Sequence, residues 1–393
     1  MQSLISKITI EPHLITAYPS EELSEFLNEP LFIHSEQINL SNTPEDIACL
    51  PFIYNIAPIV WRLGGDWRAP QLSYAAAENL ELVRMGMAEL WPDYEWNGKI
   101  HGAATASKQS SNKPALLFSG GLDSTFSAMQ LVKQKPTLIT IHGGRDLQLA
   151  DENAWVSVER ATAKFATTHQ LDSIQIKSNF TSTLTERVDQ LCPGLPASWW
   201  ASIQHGLGLA GVAAPVMFAA GNNELYISAT HTTGHQAGWG SHPKLDGVLN
   251  WTAAKANHFG YDHDRTQKIQ ALADLAENNH YPIPELIVCT RRNRQGNCMR
   301  CPKCLRTMGS VLVNDLDPEK FGFELNKNDA KSHLMGSIPA SIKVTDNEIF
   351  AWKSISKHAV ENLGSKPDPF MKWLAKLDLS KKPGFFERLF ASK

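Results

Sequence analysis

The middle of the chain alternates short apolar runs with longer stretches in which apolar residues recur every three or four positions. The apolar runs are ALLFS (115–119), TLITIHG (137–143), SIQIKSNF (173–180), LYISATH (225–231) and ELIVCT (285–290). The amphipathic stretches run to about Lys133 and then cover 152–169, 198–220 and 264–278. Strands that alternate with helices in this way predict an α/β fold with a parallel sheet covered on both faces.

Ligands bind to such sheets at the carboxyl ends of the strands, so the residues that follow each strand are the site candidates. These are residues 119–124, 142–146, 178–180 and 230–235, and those from Cys289 onward. The pattern therefore predicts one site built from several loops.

The two ends of the chain have a different pattern. Residues 1–101 contain the strand-like runs 7–18 and 30–40 and a helical stretch over 72–90, which predicts a small α+β domain. Residues 102–114 are small and polar and predict a linker. Two helical stretches, 347–363 and 368–379, mark a helical C-terminal region. We therefore predict an N-terminal domain over 1–101, a catalytic domain over 114–309 and a helical region over 310–393.

Composition places the chain among ordinary globular proteins. Its 393 residues include 37 basic and 40 acidic side chains, so no charge excess demands a nucleic acid. The first residues lack an apolar signal core, and the longest apolar stretch, 206–221, contains Pro215 and is shorter than the roughly 20 residues of a membrane span. These features predict a cytoplasmic protein that does not cross a membrane.

The segment ALLFSGGLDSTFS (115–127) predicts a phosphate-binding loop between a strand and a helix. Gly120 and Gly121 allow a sharp turn that presents backbone N–H groups to an anion, and Ser119 and Ser124 add hydroxyl donors. The helix that follows points its positive end at the same place. Asp123 beside an anion is understandable if it holds Mg²⁺ between itself and the phosphates. No Walker-type P-loop is present in the sequence.

A second glycine motif, GLGLAG (206–211), matches a dinucleotide fingerprint but has the wrong context. That fingerprint must follow a strand, whereas residues 198–204 predict a helix that begins at Ser198. We therefore interpret these glycines as the close-packing face of a helix.

Four of the six cysteines, Cys289, Cys298, Cys301 and Cys304, form the pattern C-x8-C-x2-C-x2-C. Four soft ligands suit tetrahedral Zn²⁺ in a closed, structural site, and an iron–sulfur cluster would use the same ligands. The surrounding basic residues could offset thiolate charge, contact RNA or be solvated. They are Arg291, Arg292, Arg294, Arg300, Lys303 and Arg306.

The motif SGGLDS (119–124) resembles the PP-loop of the ATP pyrophosphatase superfamily. Followed about 165 residues later by this cysteine pattern, it resembles the 7-cyano-7-deazaguanine synthase family of queuosine-precursor enzymes. The resemblance covers about 114–308. It implies a PP-loop domain that binds ATP and magnesium, cleaves ATP to AMP and pyrophosphate, and adenylates the carboxylate of a deazaguanine. The chain departs from that compact family by about 100 residues before the loop and about 80 after the cysteines.

The resemblance also assigns residues and partners. ATP would be bound by Ser119, Gly120, Gly121, Leu122, Asp123, Ser124 and Thr125. Catalysis would involve Asp123, Ser124, Arg265 and Lys268, the last two as the basic residues that open the helix before the final strand. The expected partners are a small-molecule carboxylate and an amine or ammonia as nucleophile. A protein or RNA acceptor and a homodimer stay open.

Three functional hypotheses remain open on the sequence. The leading one is an AMP-forming ligase that makes an amide or a nitrile. A tRNA sulfurtransferase would also use a PP-loop and would need an active-site thiol, for which Cys192 is the unpaired candidate after the loop. A nucleotide-binding scaffold without turnover is the third, although the loop is intact.

Overall fold

The computed structural model describes residues 2–108, 112–234, 238–251, 254–289, 296–341, 345–364 and 368–380. The strands are β1 (Gln2–Ser3), β2 (Ile5–Ile10), β3 (Leu14–Pro19), β4 (Leu31–His34), β5 (Asp66–Ser73), β6 (Lys99–Ala104), β7 (Lys113–Leu117), β8 (Thr137–His142), β9 (Ser173–Ser178), β10 (Asn222–Ser228), β11 (Asn250–Trp251) and β12 (Ala254–Phe259). The α-helices are α1 (Glu45–Ala48), α2 (Leu50–Leu63), α3 (Tyr74–Leu90), α4 (Leu122–Leu131), α5 (Glu152–His169), α6 (Arg187–Leu191), α7 (His205–Ala219), α8 (Arg265–Asn278), α9 (Pro302–Val313), α10 (Lys327–Ser341), α11 (Asp346–Asn362) and α12 (Pro369–Lys376).

A nine-stranded sheet in the order β11-β12-β10-β7-β8-β9-β4-β3-β2 organises the fold. Its five central strands, from β12 to β9, are parallel, as the alternation of apolar and amphipathic stretches predicts. Neighbouring residues of β7 belong to different cores, Ala115 to one and Leu116 to the other, because successive side chains of a strand point to opposite faces. The chain is thus a mixed α/β protein with a parallel sheet.

The N-terminal strands do not form a sheet apart from this one. β4 pairs antiparallel with β9, with Ile33 opposite Ser178, and β3 and β2 extend the sheet further. Ile15 and Ile33 are buried in the same core as Ile139 and Ile176. The separate domain expected over 1–101 is therefore wrong in its packing, because the apolar face of these strands continues the central core; only β1, β5 and β6 form a small sheet of their own.

The predicted strand over 285–290 is also wrong. Residues 285–289 run outside the sheet ladders, because their backbone N–H groups bond to residues outside the strands. The Leu286 N–H donates to Phe321 O at 3.0 Å, and the Ile287 N–H donates to Gly120 O at 2.8 Å. The segment therefore supports the glycine turn without extending the sheet.

The glycines of 206–211 lie on α7, as the sequence predicts for a close-packing helix. A Cβ at Gly208 would lie 2.5 Å from Asn55 Oδ1, and one at Gly211 would lie 2.7 Å from Leu50 O. Both neighbours are on α2, which is buried along almost its whole length.

The helical segment Trp200–Ala219 has the length and composition of a membrane span, and 78% of its most apolar window is buried inside the fold. This helical segment is longer than the apolar stretch 206–221 in the sequence, because a π-helical turn, Trp200–Gln204, precedes α7. Burial of this extent is what a core helix shows.

The C-terminal helices share a core with the region predicted to be the catalytic domain. α9 runs through the boundary predicted at 309/310, and Trp352 of α11 and Phe370 of α12 are buried in the same core as Leu116 and Phe118. The two helical stretches predicted over 347–363 and 368–379 are confirmed as α11 and α12. Residues 381–393, whose sequence KKPGFFERLFASK is basic and aromatic, lie outside the described residues.

α11 is fastened to the first turn of α8 through Asp264. Asp264 caps α8 by accepting from the Gln267 N–H at 2.9 Å, and the Ser354 hydroxyl donates to its Oδ2 at 2.7 Å. His358 Nε2 lies 3.2 Å from the same oxygen. Burial raises the pKa of Asp264, but these hydrogen bonds outweigh burial and lower it to about 2, while the bond to Asp264 raises the pKa of His358.

We expect this contact to stabilise the protein below pH 6.5 and to weaken as the pH rises through the raised pKa of His358, because the protonated imidazole is the form that folding favours. Asp264 stays ionised throughout this window. Glu361 also favours the charged imidazole and Lys357 opposes it. The melting temperatures of wild type and His358→Asn should differ most near about pH 5.5 and converge above about pH 8.

The control is His101→Asn, which removes an exposed histidine beside Asp66. Exposed pairs contribute little, so this variant should melt close to wild type at every pH. A difference for His358→Asn that stays constant from pH 5.5 to 8 would contradict the assignment.

Candidate functional site

A cavity of about 340 Å³ lies at the carboxyl ends of the central strands. It is lined by Ser119 and 121–124 after β7, by Gly144 and Asp146 after β8, by Thr230 after β10, and by Cys289. Four of the five predicted groups of site residues therefore contribute to one cavity. The fifth group, 178–180, is buried elsewhere, because the Ser178 hydroxyl donates to Phe32 O at 2.6 Å where β4 covers β9.

The loop between β7 and α4 has the shape that its glycines predict. Gly120 has φ of +72°, a left-handed conformation that favours glycine, and Gly121 is the N-cap of α4. The Ser124 hydroxyl accepts from the Ser119 N–H and donates to Gly121 O, both at 3.2 Å. Because the first four N–H groups of a helix have no partner within it, this loop brings a set of free donors to the cavity.

The predicted nucleotide-binding residues divide into three roles. Ser119, Leu122, Asp123 and Ser124 line the cavity together with Gly121, and Gly120 forms the turn. Thr125 is 1% exposed, and its N–H donates to Gly121 O at 2.9 Å, so it supports the loop from behind.

Asp123 is held by two cations from the first turn of α8. Lys268 Nζ lies 2.8 Å from Asp123 Oδ1, and an Arg265 nitrogen lies 3.4 Å from Oδ2. Lys268 also donates to Ala229 O, at the end of β10, and its side chain is 1% exposed. The residues predicted for catalysis, Asp123, Ser124, Arg265 and Lys268, therefore meet beside one loop.

The charges around Asp123 determine its ionisation. Burial raises the pKa of this carboxyl, but the positive charges of Lys268 and Arg265 outweigh burial and lower the pKa below its usual range. Asp123 is thus an ionised carboxylate at neutral pH. Its four lone-pair sites can accept more than the two cations that contact it, so the carboxylate suits a magnesium ion as a further partner.

Two residues of the cavity, Arg306 and Lys303, are not singled out by the sequence from the other basic residues near the cysteines. Both line the cavity: Arg306 is 6% exposed, and Lys303 Nζ lies 3.5 Å from Asp146 Oδ2. The available signal was their position on the helix that follows Cys301. Arg291, Arg292 and Arg294 lie outside the described residues.

The four cysteines form a compact cluster next to this cavity. Their Sγ atoms all lie within 4.8 Å of one another, and Cys298 Sγ and Cys304 Sγ are 3.9 Å apart. A tetrahedral zinc ion with Zn–S bonds of about 2.3 Å places its sulfurs about 3.8 Å apart. The Cys301 N–H donates to Cys298 Sγ at 3.2 Å, which stabilises negative charge on that sulfur. The cluster therefore fits a metal ion such as zinc.

Asn297 joins the loop that carries Cys298 and Cys301, called the metal loop below, to residues 285–289, which support the glycine turn. Its Oδ1 accepts from the Val288 N–H at 3.0 Å, and its Nδ2 donates to Leu286 O at 2.8 Å and to Gly322 O at 3.0 Å. Because the neighbouring Ile287 bonds to Gly120, the metal loop and the glycine turn share one short backbone segment.

Cys192 does not have the surroundings of a reactive thiol. It is 2% exposed, and burial raises its pKa to about 11, with Arg62 as the opposing influence. It lies at the end of α6 and is not among the described residues that line the cavity.

The side chain of Asp246 holds part of the loop after β10 in place through hydrogen bonds. This carboxylate accepts from the Ser241 hydroxyl at 2.7 Å and from the His242 N–H at 2.6 Å, and His258 Nδ1 lies 3.0 Å away. The part of the loop around Asp246 is therefore structural, and Thr230 at its start reaches the cavity. His235 lies outside the described residues.

Comparisons of the chain with protein-family models, with curated proteins and with solved structures found no match.

We predict that the cysteine cluster holds about one zinc ion per chain and that removing it loosens the fold. Metal binding at such sites is worth on the order of 10 kcal/mol at neutral pH, and four cysteine ligands leave no position for a reactive water. Strong chelation or Cys301→Ala should therefore release the zinc and lower the melting temperature, with activity failing only as the fold loosens.

Cys49→Ala is the matched control, because it removes a buried thiol outside the cluster. It should keep the full zinc content in elemental analysis. Iron with a visible absorption band would instead identify an iron–sulfur cluster and overturn the zinc assignment.

Proposed function

We propose that the chain is an ATP-dependent, AMP-forming ligase of the 7-cyano-7-deazaguanine synthase type, with a PP-loop nucleotide site. The observation that carries the proposal is the cavity in which a glycine turn, a helix N-terminus and the cations around Asp123 converge. Polyphosphate is the ligand class that this arrangement of donors suits best, since helix N-termini and cations both favour anions.

In the proposed reaction, a carboxylate oxygen of the substrate attacks the α-phosphorus of ATP, and the bond to the bridging oxygen breaks to release pyrophosphate. An amine or ammonia then attacks the carbonyl carbon of the acyl adenylate, loses a proton and expels AMP, which leaves an amide. A second round on the amide oxygen would yield a nitrile.

The described residues have distinct tasks in this scheme. The N–H groups of 121–124 and the Ser119 hydroxyl would hold the departing pyrophosphate. Arg265 would offset charge that develops on the phosphates, and Lys268 would keep Asp123 ionised and in place. Asp123 would hold magnesium together with phosphate oxygens, and magnesium bound there neutralises charge on the leaving group.

In this scheme the zinc site would have a structural role and would take no part in the reaction. Coordination would join Cys289, beside the glycine turn, to the start of α9, and so fix two walls of the cavity. A small-molecule carboxylate of the 7-deazaguanine type is the substrate that the family resemblance favours, and cytoplasmic location and a homodimer remain predictions.

Incubation with ATP, magnesium, ammonia and a panel of heterocyclic carboxylates should yield AMP and pyrophosphate. Arg265→Met should lower AMP formation about 100-fold, as the loss of one charge-stabilising donor does, with little change in melting temperature because Lys268 still pairs with Asp123. Arg187→Met, which breaks an exposed pair with Glu25, is the control and should retain full activity. ADP as the sole nucleotide product would contradict the proposal.

The sulfurtransferase alternative depends on Cys192. We predict that Cys192→Ser leaves AMP formation within about twofold of wild type, because a buried thiol with a pKa of about 11 is almost entirely protonated at neutral pH and a thiolate is the nucleophile. Complete loss of turnover in a variant that melts like wild type would favour a sulfur-transfer enzyme instead.

A further inference from the structure

Arg306 faces the nucleotide cavity from α9, and the scheme above gives it no task. It lines the cavity together with Asp123 and Arg265, although only 6% of its surface is exposed. A guanidinium is rarely buried to this extent unless it is paired. Its partners therefore indicate what the residue does.

One partner of Arg306 comes from the C-terminal helix α11. An Arg306 Nη donates to Glu348 Oε1 at 2.7 Å, and Glu348 is also 6% exposed. Arg306 Nε and Glu348 Oε2 have no hydrogen-bond partner among the described residues. A buried N–H without an acceptor destabilises the fold, so a cavity ligand that supplies an acceptor to Arg306 would remove that cost.

The local charges indicate the sign of that ligand. The cations at this wall of the cavity are Arg265, Lys268 and Arg306, whereas the carboxylates that contact them are Asp123 and Glu348. These described side chains leave one positive charge in excess in a buried setting. Arg265 and Arg306 both line the cavity and carry like charges, so an anion bound there would relieve their repulsion.

α11 also supports the other two cations. Ser354 and His358 bind Asp264, the N-cap of α8, and the first turn of α8 carries Arg265 and Lys268. Thus α11 contacts both helices that carry the cations: α9 through Arg306 and α8 through its N-cap, Asp264.

We propose that Arg306 is a further phosphate-binding residue of the cavity and that Glu348 is the positioning residue that orients it, so that α11 completes the nucleotide site. The proposal rests on the proposed function, in that a polyphosphate occupies this cavity. Arginine suits a polyphosphate ligand, since its planar guanidinium binds phosphate oxygens through two parallel hydrogen bonds.

Binding of pyrophosphate to the full chain, measured by calorimetry without turnover, tests the proposal. Arg306→Lys keeps the charge and loses the fork, and it should weaken binding at least about tenfold. Glu348→Gln should also weaken binding, but not in an Arg306→Met background, because Glu348 acts only through Arg306. Lys331→Met is the control: it breaks a part-buried pair with Asp368 in the same C-terminal region, away from this cavity, and should bind as wild type does.

Two further outcomes separate this inference from the proposed function, and a third contradicts both. Pyrophosphate affinity unchanged in both Arg306 variants overturns the inference even when the wild type makes AMP. If pyrophosphate affinity depends on Arg306 but the wild type makes no AMP, the inference is supported and the ligase proposal is contradicted. If the wild type does not bind pyrophosphate, both are contradicted. If the variants do not fold, a crystal structure of the wild type with pyrophosphate decides the point: a guanidinium of Arg306 beyond hydrogen-bond distance would overturn it.

Discussion

The buried ion pair between Lys268 and Asp123 is the contact on which the arrangement of the site depends. An ammonium with 1% exposure needs a charged partner and further acceptors, because an unpaired charge in this setting costs several kcal/mol. Lys268 finds them in Asp123 on α4 and in the carbonyl of Ala229 after β10. The position of α8 is thereby fixed to the glycine turn and to the central sheet at once, and the helices that pack on α8 take their places from it.

The metal loop adds a second restraint to the same region. Cys289 follows the extended segment that bonds to Gly120, whereas Cys301 and Cys304 stand at the start of α9, which carries Arg306. Closing the cluster around an ion therefore holds the glycine turn and the basic helix at a set separation. A structural metal can affect substrate binding in this way without contact with the substrate.

Local patterns were sufficient for much of this arrangement, and long-range pairings were not. The alternation of apolar and amphipathic stretches predicted the parallel strands, and the glycine loop and the cysteine spacing predicted which residues cluster. By contrast, the pairing of β4 with β9 and the bond between Arg306 and Glu348 join positions far apart in the chain, and nothing in either segment alone marks its partner. ELIVCT has the apolar side chains of a strand, but its backbone bonds to Phe321 and Gly120, which lie far from it in the sequence.

The attachment of the N-terminal strands to β9 has a consequence for how the chain folds during synthesis. β4 ends at His34 and its partner β9 ends at Ser178, so the edge that receives the N-terminal strands exists only after about 140 further residues have been made. At 5–20 residues per second, the interval is roughly 7–30 s on the ribosome. For that time the edge of β4 and its apolar side chains lack their final partners, which favours misassembly of the nascent chain before β9 is made.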